Sequence, residues 1–158
     1  MEVSEINSLV ELFFKKLEEV DNKKLLLNSL KSEKKTYSWS DTSERIFKLS
    51  SKIKKLIKSG DKCLILSENN PNWFISDIAI MNAGGISVPI FTTYSANDYK
   101  FILKDCNPTL VIVSNNTQFE KIKEFVNDKS IEIISFEKID TKSYLIEDIF
   151  KDTSNDKI

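Results

Sequence analysis

Cys63-Leu64-Ile65-Leu66-Ser67-Glu68-Asn69-Asn70-Pro71 is the stretch on which the reading of this chain turns. Four apolar residues in unbroken succession suit a short strand covered on both faces, and the polar residues behind them turn the chain. Asn70 is placed to cap a helix, with Pro71 at the first helical position, where its missing N–H is no loss. The segment 71–83 carries Trp73, Phe74, Ile75, Ile78, Ala79 and Met81 around most of its circumference, which predicts a largely buried helix. Gly84-Gly85 ends it. Ile86 to Phe91 then reads as a second strand, in which Pro89 implies a missing ladder bond or an edge position.

Downstream the rhythm repeats. Ser95 with Asp98 three residues on is a capping-box variant opening a helix whose apolar face is Tyr99, Ile102 and Leu103. Asn107-Pro108 breaks it, and Thr109 to Val113 makes a third strand. Phe119, Ile122 and Val126 mark one more helix, Ile131 to Phe136 a fourth strand, and Tyr144 to Phe150 a closing short helix. Upstream, Val3, Ile6, Val10, Phe13, Leu17 and Val20 fall on one helical stripe; an ordinary core-packed helix is preferred to a coiled-coil partner, for which the pattern is short. Leu25–Leu30 and Thr36–Trp39 flank a lysine-rich loop as a hairpin, with Tyr37 and Trp39 expected to bury on one face. Ser40 or Asp41 can cap the following helix, whose stripe is Ile46, Leu49, Ile53 and Leu56; Lys54, Lys55 and Lys58 crowd its last turns and Gly60 stops it. Alternating strands and helices predict an α/β fold with a mostly parallel sheet built from βαβ crossovers, preceded by an amphipathic helix and a β-hairpin. The expected division is 1–40 for helix and hairpin, 41–150 for the α/β part and 151–158 for a polar, frayed tail.

Composition narrows the chemistry. The chain has 158 residues, 41% hydrophobic and 30% charged, with 23 basic against 24 acidic groups. That length supports a compact domain able to bury roughly 70% of its unfolded surface. The near-neutral balance argues against a nucleic-acid partner. With 0 histidines, imidazole catalysis and histidine-ligated zinc are excluded within this chain. The 3 glycines, Gly60, Gly84 and Gly85, cannot form either glycine-rich phosphate-binding pattern. Cys63 and Cys106 have no metal-ligand spacing and read as buried inert thiols rather than a redox pair. The absence of a long apolar run or a leader pattern makes a cytoplasmic protein the expectation.

Parallel sheets bind ligands beyond the carboxyl ends of their strands, which here carry Ser67-Glu68-Asn69, Thr92-Thr93 and Ser114-Asn115-Asn116. These are also the residue types that cap the next helix, and capping is the preferred reading; only Glu68 is not an obvious cap. Trp73 reads as core rather than as a stacking platform. No catalytic, cofactor-binding or metal-binding residue is assigned.

The segment Gly60-Asp61-Lys62-Cys63-Leu64-Ile65-Leu66-Ser67-Glu68-Asn69, followed by Trp73, Asp77 and Ala79, resembles the amino-terminal part of the AMP-forming acyl-CoA synthetases. The resemblance continues through Gly84 or Gly85, Val88-Pro89-Ile90-Phe91-Thr92-Thr93, Ile102-Leu103 and Val111-Ile112-Val113-Ser114, and upstream to Thr36-Tyr37-Ser38-Trp39. Asn69, Trp73 and the Val-Pro-x-Phe-Thr-Thr run look most like the long-chain fatty acid branch. The resemblance implies a ligase that uses ATP and Mg2+ to turn a fatty acid into an acyl-adenylate and then transfers it to coenzyme A. It also implies a serine/threonine- and glycine-rich phosphate loop and a lysine on a mobile carboxy-terminal domain, neither of which has a counterpart in these residues. The expectation is therefore an amino-terminal fragment, inactive alone and binding none of these cofactors by itself. Its partner would be the remainder of the ligase, and an apolar face near 71–83 would be exposed for it. Alternatives are a stand-alone binding or assembly module and a flavodoxin-like nucleotide module. In the assembly-module alternative the amphipathic first helix would mediate association; peripheral membrane association and a homo-oligomer stay open.

Overall fold

A computed structural model of the chain describes residues 6–29, 35–126 and 130–152. The apolar runs become strands β3 (Lys62–Leu66), β4 (Ile86–Ile90), β5 (Leu110–Val113) and β6 (Glu132–Ser135), joined by a fifth, Tyr144–Leu145, which is β7 once the upstream hairpin strands β1 (Leu25–Asn28) and β2 (Thr36–Ser38) are counted. Their order is β4-β3-β5-β6-β7, and every neighbouring pair is parallel. Cys63 to Leu66 and Leu110 to Val113 are all fully buried, as continuous apolar runs require when both faces of a sheet are covered. Alternate side chains divide the core. Cys63, Ile65, Leu110 and Ile112 pack on one face under helices α1 (Leu9–Glu19), α2 (Trp39–Lys54) and α3 (Pro71–Asn82). Leu64, Leu66, Val111 and Val113 pack on the other with Tyr99 and Leu103 of α4 (Ala96–Cys106) and with Phe119 and Ile122.

Local signals explain the helix boundaries. Asn70 Oδ1 accepts the Trp73 N–H at 3.1 Å, and Pro71 opens α3. Ser95 and Asp98 form the reciprocal capping box at α4, which ends at Asn107 in the left-handed region. Gly60 and Gly84 both have positive φ, where glycine alone is unstrained. Pro89 lies in β4, an edge strand, opposite Ile65. The Ile86 N–H bonds toward β3, so by alternation the missing donor of Pro89 falls on the open side.

Several expectations are corrected. The first helix begins at Leu9, because Ser8 accepts the Glu11 N–H and sets the cap there; Ile6 precedes it and Val3 lies outside the described residues. Leu30, residues 31–34 of the lysine-rich loop and the tail from 153 also lie outside them, and Lys151 is the last residue of α7 (Ile146–Lys151). Trp39 is not a strand partner of Tyr37. Ser38 ends β2 and caps α2, so Trp39 is helical and stacks on Phe13 at 5.5 Å, while Tyr37 lies against Arg45. The cap is therefore Ser38, with Asp41 as its capping-box partner, and not Ser40 or Asp41. α2 stops at Lys54, which leaves Lys58 beyond it. The single helix expected at 119–126 is two, α5 (Asn116–Glu120) and α6 (Lys123–Val126), parted where the Lys121 N–H bonds Gln118 in a tighter turn. Tyr144 starts β7 rather than a helix, pairing with Ile134, and α7 follows. α7 is held to α2 by the Arg45 guanidinium, 4.7 Å from the Tyr37 ring and 4.5 Å from that of Phe150.

The Ser38 cap supplies a first test. Ser38→Ala removes the acceptor for the Asp41 N–H (3.1 Å) and should cost about 1 kcal/mol. The corresponding fall in Tm is about 3 °C, read by circular dichroism. The hydrogen bonds from Ser38 hold the Asp41 carboxyl below its ordinary value. Its contribution is thus present above the unfolded-state carboxylate range and fades as the pH falls, so the wild-type advantage over the variant should shrink in acid.

Candidate functional site

At the carboxyl ends of β3 and β5 the side chains form a network. Glu68, just past β3, accepts the Ser114 hydroxyl on Oε2 at 2.7 Å and the Gln118 amide Nε2–H on Oε1 at 2.6 Å. Ser114 and Gln118 are both buried, and Asn115 between them caps α5 by accepting the Gln118 N–H at 3.1 Å. Asn70 Nδ2 donates to Ser67 Oγ at 3.0 Å and to the Glu68 carbonyl at 2.8 Å, so the β3–α3 turn is braced from its own side. Asn116 exchanges two bonds with Asp140, Nδ2 to Oδ2 at 2.7 Å and the returning backbone N–H at 2.9 Å. The Thr92 carbonyl accepts Lys121 Nζ at 2.7 Å, while Asn69 and Thr93 are exposed.

The structure therefore gathers Ser67, Glu68, Ser114, Asn115 and Asn116 at one end of the sheet. Gln118 is the residue that sequence reasoning does not reach. It stands 50 positions from Glu68, and its only local signal is its place three residues after Asn115. Beside the network opens a cleft of about 300 Å³, lined among others by Lys35, Tyr37, Glu68, Ser114, Glu137 and Glu147.

The two cysteines are free and buried, away from this cleft. Burial pushes the Cys63 thiol up to about 12, helped by the nearby Asp61 charge, and raises Cys106 as well. Cys63 should consequently resist a disulfide-exchange reagent in the native chain at about pH 8 and react once urea unfolds it. Because the folded value lies above the unfolded one, this thiol contributes stability at neutral pH that is lost as pH climbs from 9.0 toward about 12. Alkaline denaturation followed by fluorescence, with Cys63→Ala as control, reads that slope.

The whole architecture has counterparts among known proteins. A family model described as AMP-binding enzyme matches residues 14–156. The chain belongs to the AMP-binding enzyme family. Within it, a segment of 54 residues is 41% identical to the long-chain-fatty-acid–CoA ligase ACSBG2 of Gallus gallus, covering 34% of this chain and 7% of that protein. A segment of 70 residues is 36% identical to the human long-chain-fatty-acid–CoA ligase ACSBG1, covering 44% and 10%. Among solved structures, the luciferase-like enzyme of the mealworm Zophobas morio superposes with a TM-score of 0.84 at 21% identity, over 99% of this chain and 37% of that one. An anthranilate CoA ligase in complex with anthranoyl-AMP gives 0.81 at 20% identity, over 96% and 30%. The chain thus spans a small part of the ligases it matches by sequence and about a third of the enzymes it matches by fold.

The described cleft residues are a poor match to a nucleoside triphosphate. Among them Glu68, Glu137 and Glu147 are acidic and Lys35 is the one cation, so a phosphate chain would meet more carboxylates than cations among the described lining residues. Among the described residues no group of three or more acidic, cysteine or histidine side chains could hold a metal ion. Nor, among them, is any helix long and apolar enough to cross a membrane. No exposed apolar face lies on α3, as Ile75, Ile78, Ala79 and Ile80 are buried and Trp73, Phe74 and Met81 half-buried against the core. The exposed large apolar residues lie elsewhere, among them Leu9 and Leu12 on α1, Phe47 on α2 and Phe91, Tyr94 and Phe101 around α4. The expectation of an open face at 71–83 is corrected accordingly: α1 and α2 cover that helix.

Proposed function

We propose that this chain is the amino-terminal portion of an AMP-forming long-chain fatty acid CoA ligase and that it serves as scaffold rather than as the reacting centre. The observation that carries the reading is the family match over residues 14–156 combined with the long-chain ligases' 36–41% identity in its best-matched segment. Residues 41–150 are then the α/β subdomain of the adenylate-forming domain, 1–40 its amino-terminal helix and hairpin, and 151–158 a polar tail. In that complete enzyme ATP, with Mg2+, activates the fatty acid carboxylate as an acyl-adenylate, and coenzyme A captures the acyl group. The present residues contribute a rigid parallel sheet and a braced set of loops at its carboxyl end. The acidic cleft supports assigning phosphate binding to other polypeptide, and no cofactor is expected to bind this portion alone. The partner of this chain is accordingly the remainder of the ligase, and a cytoplasmic location fits such a protein.

Reading the gene beyond the codon for Ile158 tests this. A serine/threonine- and glycine-rich phosphate loop encoded there, in frame or one base out of it, is the expected result. A following sequence with no trace of that loop in any frame would overturn the reading.

A further inference from the structure

The chain runs β3, β4, β5, yet β3 lies between the other two in the sheet. Its connections therefore leave in opposite directions, and the loops after β3 and β5 part at the switch point. In doubly wound sheets of this order that crevice is where a ligand's anionic group is held. Here the place is taken. We propose that Glu68, an exposed residue on the wall of the neighbouring cleft, is a built-in anion at the switch-point crevice: its carboxylate takes the donors that this strand order offers to an anionic ligand and ties the two diverging loops together.

Both carboxylate oxygens are engaged across the crevice, Oε2 by Ser114 Oγ and Oε1 by Gln118 Nε2. These donors, a hydroxyl and an amide N–H converging on one anion, are the groups a bound phosphate or carboxylate would use. Gln118 adds an independent sign. Its Oε1 is buried without a partner, although the side chain is 5% exposed. Turning the amide over would set that oxygen against the Glu68 carboxylate, so the amide keeps its N–H on the anion and leaves its own oxygen unsatisfied. The carboxylate dictates the arrangement. This inference concerns the crevice alone and holds or fails independently of the ligase reading.

The test uses the full chain, acetate and inorganic phosphate as probes, and two readouts: Tm and the Gln118 side-chain amide resonances. Glu68→Ala should lower Tm by about 5 °C. Sodium acetate, compared with sodium chloride at equal ionic strength, should restore at least half of that loss and return the Gln118 signals toward their wild-type positions. Glu68→Gln, which keeps the crevice full without the charge, should gain nothing from acetate. In the wild type neither acetate nor phosphate should shift the Gln118 signals saturably. Equal gains from acetate in all three proteins, or no gain in Glu68→Ala, would overturn the proposal. Should Glu68→Ala fail to fold, the wild-type titration still decides, since saturable phosphate binding there means that the crevice is open.

Discussion

Ile65→Ala should lower the stability of this chain by about 4 kcal/mol, measured by urea denaturation. Ile65 lies in β3, the strand bonded to both β4 and β5, and is fully buried in the layer beneath α2 and α3. Truncation removes the transfer free energy of three carbons and leaves a cavity that backbone fixed on both sides cannot collapse to fill. For a domain whose whole stability is about 5–15 kcal/mol, this is a large fraction, and the midpoint should move at nearly unchanged slope. A loss under about 1 kcal/mol would mean that β3 is not an interior strand covered on both faces.

Phe119→Ala should be as severe, at about 4 kcal/mol, and through the opposite face. Phe119 is 2% exposed and packs with Leu64, Leu66, Val111 and Val113. Its helix, α5, has five residues and would not persist by propensity alone, so the ring is what fixes that segment to the sheet. Ile65 and Phe119 belong to separate layers with the sheet between them. Their effects should add within about 0.5 kcal/mol in the double variant. Marked coupling would contradict a core divided by the sheet. If the double variant is too unstable to fold, the milder pair Ile65→Val and Phe119→Leu carries the same cycle.

Much of this architecture is legible before any coordinates, for identifiable reasons. Asn70-Pro71 and Ser95 with Asp98 are local devices whose hydrogen bonds lie within three residues, so sequence spacing states them directly. The uninterrupted apolar runs at 63–66 and 110–113, each short and bounded by polar turn residues, suit strands buried on both faces, and all eight residues are buried. What is not legible depends on partners distant in the chain. β7 has two residues, too few for any periodicity, and exists because Ile134 and Ser135 offer it an edge. Trp39 looks like a strand residue by alternation, but Ser38 serves two elements and the stripe changes period there. The open face expected on α3 is covered because α1, which the stripe at Val10, Phe13 and Leu17 marks as core-packed without saying against what, lays Phe13 onto Phe74 and Trp39.

The candidate site divides the same way. That Ser67, Glu68, Ser114 and Asn115 share one end of the sheet follows from strand direction alone. That Glu68 spends its charge on Ser114 and Gln118 is a contact between residues 46 and 50 positions apart, and nothing local encodes it. Family membership likewise rests on the order of motifs across the whole segment, since each is short on its own.

The proposal at the centre of this account is that the chain supplies the frame of an adenylate-forming ligase while the reacting groups belong to other polypeptide. ATP–pyrophosphate exchange, assayed on the purified chain with palmitate and Mg2+, tests it most directly. Exchange no greater than in a protein-free blank is the predicted result. Palmitate-dependent exchange that scales with chain concentration would contradict it.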